Sequence, residues 1–206
     1  MERGICVEHL YKSFGKQKVL VDVNLNIKPG ESLGIVGNNG SGKTVLMKCI
    51  CGFMKPDSGS VYVDGKRIGK DVDFPDSIGV IIETPGFIPR MSGYQNLRLL
   101  SSLKGLIGRK EICETMQRVG LNPDMKKFVS KYSLGMRQRL GIAQSIMENP
   151  NVLILDEPFN GLDKTGVKQM RELILELKDQ DKTILLASHN AADIEVLCDN
   201  VMDMER

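Results

Sequence analysis

Apolar and polar residues alternate along residues 18–28, KVLVDVNLNIK, with Val19, Val21, Val23, Leu25 and Ile27 on one face, and this period of two predicts a half-buried strand. Pro29-Gly30 then turns the chain. The apolar run SLGIVG predicts a second, short strand, which leads through the glycine-rich segment GNNGSGKT into a helical stretch from Lys43 to about Gly52. Beyond this strand, loop and helix, a turn-rich segment around SGSVYVDG predicts antiparallel pairing, and IGVII predicts another strand. Between Gly86 and Pro150 the pattern is mostly helical, with breaks at Gly105, Gly108 and Asn122-Pro123.

Residues 152–155, VLIL, are apolar without alternation, as expected of a strand covered on both faces. Val167, Met170, Leu173, Ile174 and Leu177 then recur at helical spacing and mark one face of an amphipathic helix. TILLAS predicts a second buried strand, and Ala191–Cys198 a last helix. Apolar strands alternating with helices predict an α/β fold with a mostly parallel sheet, an antiparallel β segment and a helical insertion. A chain of 206 residues suffices for one well-cored unit with a subdomain set into it. The expected organisation is a single domain over 1–206, its core formed by 1–86 and 151–206 and its helical subdomain by about 87–150.

Composition narrows the function classes. With 41% hydrophobic and 26% charged residues, neither disorder nor a fibrous class fits. Net charge is only +2, and the densest basic clusters, Lys126-Lys127 and Arg137 with Arg139, are short, so no nucleic-acid partner is expected. No stretch reaches the roughly 18 apolar residues that a membrane-spanning helix needs, and the opening MERGICVEHL lacks a signal peptide's apolar run. The expected location is therefore the cytoplasm. The five cysteines are odd in number and scattered, and are expected to be reduced, inert thiols.

The chemistry-bearing signal is the run Gly37, Asn38, Asn39, Gly40, Ser41, Gly42, Lys43 and Thr44, which matches the phosphate-loop pattern of Gly, four residues, then Gly-Lys-Thr. Its glycines let backbone N–H groups turn inward around phosphates, and the following helix adds about half a positive charge at its N-terminus. Lys43 is expected at the β and γ phosphates and the Thr44 hydroxyl on Mg²⁺. VLILDEP supplies the second part: Asp156 and Glu157 leave the carboxyl end of a buried strand, where open α/β sheets place ligands. Asp156 suits Mg²⁺, directly or through water, and Glu157 is expected to orient and polarise the attacking water.

With these motifs in order, the sequence resembles an ABC transporter nucleotide-binding subunit over essentially its whole length. The resemblance implies the ABC ATPase variant of the P-loop NTPase fold, with ATP and Mg²⁺ as its ligands. Tyr132–Arg139, YSLGMRQR, resembles the family signature, implying that Ser133 and Gly135 face the γ-phosphate of ATP bound to the opposite subunit. From the residues themselves, Ser133 is a good N-cap, and Met136, Leu140, Ala143 and Met147 supply an apolar stripe behind it. NGLD, with Asp163, resembles the loop across which two subunits communicate, and Ser188-His189 the switch histidine that contacts the γ-phosphate. Phe14 matches the position whose ring stacks on adenine, with Val19 as a second contact. In isolation His189 would read as a surface or cap residue and Phe14 as core. Their order and spacing within the series favour the functional reading. His9 lacks such support and is left as structural.

Three positions depart from the family pattern. Glu83, in GVIIETPGF, stands where the family usually has a Mg²⁺-contacting glutamine, Leu134 replaces the signature's first glycine, and Met136 replaces its glutamine. Glu83 together with YSLGMRQRLGIA resembles the branch that exports, or confers immunity to, antibiotic peptides such as bacitracin and lantibiotics. The implied partners are a second ATP-binding subunit, in the first instance another copy of this chain, and a separate transmembrane permease that holds the chain at the cytoplasmic face of the cell membrane. A non-transport ABC ATPase acting as an ATP-gated regulator is the alternative. A small-molecule kinase shares the phosphate loop but not the YSLGMRQR, NGLD and Ser188-His189 series.

Overall fold

The computed structural model describes residues 4–204. Nine strands form two sheets among these residues. An antiparallel sheet has the order β2-β1-β4-β5, built from β1 (Ile5–Phe14), β2 (Gln17–Ile27), β4 (Ser58–Val63) and β5 (Lys66–Arg67). A parallel sheet has the order β6-β7-β8-β3-β9, built from β6 (Ile78–Ile81), β7 (Val152–Asp156), β8 (Thr183–Ala187), β3 (Ser32–Val36) and β9 (Asn200–Asp203). Helices α1 (Lys43–Ile50), α2 (Gly93–Lys104), α3 (Arg109–Arg118), α4 (Leu134–Ile146), α5 (Lys164–Lys178) and α6 (Ala191–Leu197) complete the fold.

Every residue of β7 and β8 is buried, the outcome their unbroken apolar runs predict. Their side chains divide between the two faces. Leu153, Leu155, Ile184 and Leu186 join α4 and α5 in one core, which also takes Leu97, Ile112 and Met116 from α2 and α3. Val152, Ile154, Leu185 and Ala187 join the other core, shared with α1 and the antiparallel sheet. The parallel sheet is thus the common wall of both cores, and the loops at its carboxyl edge are held from two sides.

The alternation along β2 is interrupted. Val23 and Ile27 are buried as expected, but Val21 is 53% exposed and Leu20 is buried. The register slips between the pairs Leu10–Val23 and Lys12–Leu20, and Asp22 adopts φ 51, so one extra residue turns the strand over. A matching slip lies between Val7 and Leu10 of β1, where His9 has φ 48. His9 Nδ1 pairs with Asp22 Oδ1 at 2.7 Å, and His9 N donates to Asn24 Oδ1 at 2.8 Å, so His9 ties the two irregular points together. The same slip leaves β1 without a regular period, which is why the sequence pattern did not reveal that strand.

Candidate functional site

The loop between β3 and α1 carries the phosphate-loop motif, and Gly37, Gly40 and Gly42 take φ of 144, 83 and 102, a region where a side chain is strained. Helix α1 is capped by no side chain and has no acid in its first turn. Its first N–H donors and its positive dipole end are therefore left for an anion. Ser41 Oγ is buried with no hydrogen-bond partner. Lys43 is nearly buried, and its Nζ donates to the carbonyl oxygens of Gly37 at 2.5 Å and Asn38 at 2.9 Å, folding the cation over its own loop. An uncapped helix start, an unpartnered buried hydroxyl and a cation resting on carbonyls together fit a phosphate chain.

Thr44 lies one residue further, and its Oγ1 donates to Asp156 Oδ2 at 2.7 Å. This bond joins the start of α1 to the carboxyl end of β7. The donor set is all oxygen, hydroxyl plus carboxylate, as a hard divalent cation such as Mg²⁺ requires. Glu157 follows with φ 49, and its N–H donates to Ala187 O at 2.9 Å, so the reversal after β7 is pinned to β8. Glu157 Oε2 lies 2.7 Å from His189 Nδ1. The segment carrying His189 is anchored by Ser188, whose Oγ donates to Asp193 Oδ2 at 2.7 Å, while Arg171 of α5 pairs with Asp193 Oδ1. Asp193 is almost fully buried and satisfied on both oxygens.

A cavity of about 590 Å³ opens over Lys43, Thr44, Asp156 and Glu157, with His189, Gly37, Asn38 and Ser41 outside its lining. Val19, Asn39, Gly40, Gly42, Lys43, Thr44, Glu83, Asp156 and Glu157 line it, as do Leu134, Arg137, Gln138 and Asn160. Glu83 stands two residues after β6 with φ 59, and its Oε1 is 2.5 Å from Lys48 Nζ. Phe14 does not line this cavity: it sits at the β1–β2 hairpin opposite Gln17, 47% exposed, with Lys12 Nζ 5.7 Å from its ring centre.

Ser133, Gly135 and Asp163 also lie apart, around a separate shallow pocket with Arg139 and Leu162. Ser133 Oγ caps α4 by accepting from Met136 N at 3.1 Å, and Asp163 caps α5 by accepting from Gly166 N at 2.8 Å. Leu134 lies against Gly161, where a Cβ would come within 2.4 Å of the leucine Cγ, so the two capped helix starts are pressed together. Ser133, Gly135 and Asp163 thus lie outside the lining of the phosphate loop's cavity, which the signature segment reaches through Leu134.

Residues that sequence reasoning passed over also shape the site. Gln138 of α4 is buried, and its Nε2 donates to Pro158 O at 2.9 Å and Glu157 O at 3.3 Å, tying the signature helix to the carboxylate loop. Arg137 Nε is buried without a hydrogen-bond partner. The signal for Gln138 was a polar residue within the buried side of α4, and for Lys48 its place one turn beyond Thr44 on α1.

A phosphate loop set between a parallel strand and a helix, with two carboxylates at the neighbouring strand end, defines a nucleotide-binding α/β protein of the P-loop class. The family model described as "ABC transporter" matches residues 20–160, and the chain belongs to that family. It is 40% identical over 200 residues to an uncharacterised ABC transporter ATP-binding protein, YybJ of Bacillus subtilis, covering 97% of this chain and 92% of that protein. It is 41% identical to the bacitracin transport ATP-binding protein BcrA of Bacillus licheniformis, covering 98% of this chain but 66% of BcrA. It is 38% identical to the lantibiotic transport ATP-binding protein SrtF of Streptococcus pyogenes, covering 94% of this chain and 83% of SrtF. Among solved structures, the dimeric post-hydrolysis state of the ATP-binding cassette MJ0796 bound to ADP and Pi aligns with a TM-score of 0.87 at 25% identity, over 98% of this chain and 95% of that one. The fold is that of an ABC ATPase cassette, the chain is an ATP-binding subunit of the ABC transporter type, and its reaction is hydrolysis of ATP to ADP and phosphate. Among the described residues no helix is long and apolar enough to cross a membrane.

Proposed function

We propose that this chain powers export of antibiotic peptides or other amphiphiles through a separate transmembrane permease, as a peripheral subunit on the cytoplasmic face of the membrane. Two copies close on two ATP molecules and part after hydrolysis. The observation that carries this reading is the meeting of Thr44 with Asp156 and of Glu157 with His189, each at 2.7 Å, beside an uncapped phosphate-loop helix. Two relatives at about 40% identity are named for bacitracin and lantibiotic transport, and the cassette MJ0796 is dimeric in its solved structures.

In this reading, Gly37 to Thr44 bind the triphosphate, with Lys43 on the β and γ phosphates. Thr44, Asp156 and Glu83 hold Mg²⁺, which when bound neutralises charge on the phosphate oxygens. Glu157 accepts a proton from the attacking water, and His189 holds the Glu157 carboxylate in place and contacts the γ-phosphate. Val19, in the cavity lining, is the adenine contact that the cavity supports, and Phe14, on the β1–β2 hairpin outside that lining, reaches adenine only where the base extends beyond the cavity. Ser133 and Gly135 complete the site of the second copy, and Asp163 passes its state across the interface. The helical subdomain of about 87–150, set into a core of 1–86 and 151–206, carries the motion to the permease.

The test is purification of the tagged chain from native membranes together with its ATPase rate. An integral membrane polypeptide should co-purify, and Lys43→Ala should remove most ATP binding. A chain that binds ATP but brings no membrane partner would leave the ATPase and defeat the transport role.

A further inference from the structure

Lys48 lies outside the phosphate-loop motif, yet it stands four residues after Thr44 on α1 and so shares its helix face. Its Nζ reaches across 35 positions of sequence to Glu83 Oε1, at 2.5 Å. The lysine side chain is 27% exposed and the glutamate 63%. Glu83 is held in the left-handed region, φ 59, a conformation that few residues other than glycine adopt, so its backbone placement is specific.

A carboxylate at this place is electrostatically awkward. The cavity is already lined by Asp156 and Glu157, and a triphosphate would add several negative charges. Lys43 rests on the carbonyls of Gly37 and Asn38 and is the cation that the triphosphate itself would take, and Arg137, which lines the same cavity, has its Nη2 on Tyr132 O at 3.4 Å. The cation in contact with Glu83 is Lys48. We propose that Lys48 is a positioning residue: it is the counter-ion that holds the Glu83 carboxylate against α1 and makes an acidic residue at position 83 compatible with a bound triphosphate. The inference rests on the reading of the cavity as an ATP site and adds to it a residue that acts through Glu83.

The ordinary alternative is a solvated surface ion pair, which contributes little to anything. Direct binding of a fluorescent ATP analogue separates the two, measured at low ionic strength in a chelating, metal-free buffer. Lys48→Gln should bind about five- to tenfold more weakly than the parent, because Glu83 is left uncompensated beside the phosphates. Glu83→Gln should bind at least as tightly as the parent, and the double variant should match Glu83→Gln. That restoration is the mark of a residue acting through Glu83. Lys66→Gln, which removes another exposed lysine–carboxylate pair at 2.5 Å, with Asp76, should change nothing. The proposal is overturned if Lys48→Gln binds like the parent, if its loss persists undiminished in the Glu83→Gln background, or if the parent binds nucleotide only with Mg²⁺ present. Lys43→Ala separates these failures from that of the site itself. If it loses binding while Lys48→Gln does not, the ATP site stands and only the role of Lys48 falls; a parent that binds no nucleotide under any condition removes the site.

Discussion

His189 Nδ1 lies 2.7 Å from Glu157 Oε2, with the histidine side chain 72% exposed and the glutamate 24%. A carboxylate oxygen accepts, so Nδ1 is the donor when the ring holds the carboxylate in this contact. The segment that carries the exposed partner is held from behind by the Ser188–Asp193 bond and the Arg171–Asp193 pair. His189→Ala should therefore keep ATP binding and leave the melting temperature within about 1–2 °C, since an exposed pair adds little stability. Hydrolysis should fall about 10- to 10³-fold, because the carboxylate loses the group that orients it. Side-by-side binding, melting and turnover measurements check this, and an unchanged turnover would detach His189 from the reaction.

Glu157 is the residue at which shape and basicity can be separated. Its N–H is bonded to Ala187 O and its own carbonyl accepts from Gln138, so the loop keeps its path when the side chain changes. Glu157→Gln should lower hydrolysis by about 10²–10⁴ while ATP still binds. The variant should also accumulate as an ATP-bound dimer on gel filtration. A variant that hydrolyses at the parent rate would place the base elsewhere.

In the proposed metal site, Glu83 would offer a charged ligand where a glutamine would offer a neutral carbonyl. Attraction for a hard cation should outweigh repulsion from the triphosphate once both are present. Glu83→Gln is expected to bind ATP and hydrolyse it, but to need about two- to tenfold more Mg²⁺ for half-maximal activity. Glu83→Ala should be worse in rate and, in the proposed transport role, in coupling to the membrane partner. ATPase rate against Mg²⁺ for the parent and both variants decides it, and three superimposable curves would remove Glu83 from the metal.

Local patterns were legible wherever one period governed a whole element. VLIL and TILLA became β7 and β8, and Met170, Leu173, Ile174 and Leu177 became the buried face of α5. β1 was not legible, because the irregularity at His9 places Val7 and Leu10, three apart, on the same buried side. β9, short and mostly exposed, acquires its identity only by pairing with β3. Within the site, the phosphate loop and the pair Asp156-Glu157 could be read because each is contiguous in sequence. The contacts of Lys48 with Glu83 and of Gln138 with Glu157 could not, since they join residues 35 and 19 positions apart that only the fold brings together. Phe14 was selected by position in a motif, and its packing, outside the lining of the cavity, was not encoded in that motif.

Asp199 links the sheet edge to its neighbours and makes a pH-dependent prediction. Its Oδ2 accepts from Ser32 N and Ser32 Oγ, both at 2.9 Å, and its Oδ1 from Lys178 Nζ at 2.7 Å, so one carboxylate ties the start of β9 to β3 and to the end of α5. Burial pushes this carboxyl up, but the Lys178 ammonium and the Ser32 amide and hydroxyl more than offset it, and the net position is below the ordinary value of 3.8. A group held lower in the folded chain than in the unfolded one stabilises the fold above the unfolded value, about pH 4. That contribution disappears as pH falls through the folded value. The side chain is 41% exposed, so solvent screens the interaction and the whole effect is about 1 kcal/mol, or roughly 2–4 °C in melting temperature. Asp199→Asn should therefore melt lower than the parent at pH 7, and the gap should narrow as pH drops from about 5 toward about 3. Urea unfolding across that range measures it. A gap that stays constant with pH would mean that the loss comes from hydrogen-bond geometry at Ser32 and not from the charge of Asp199.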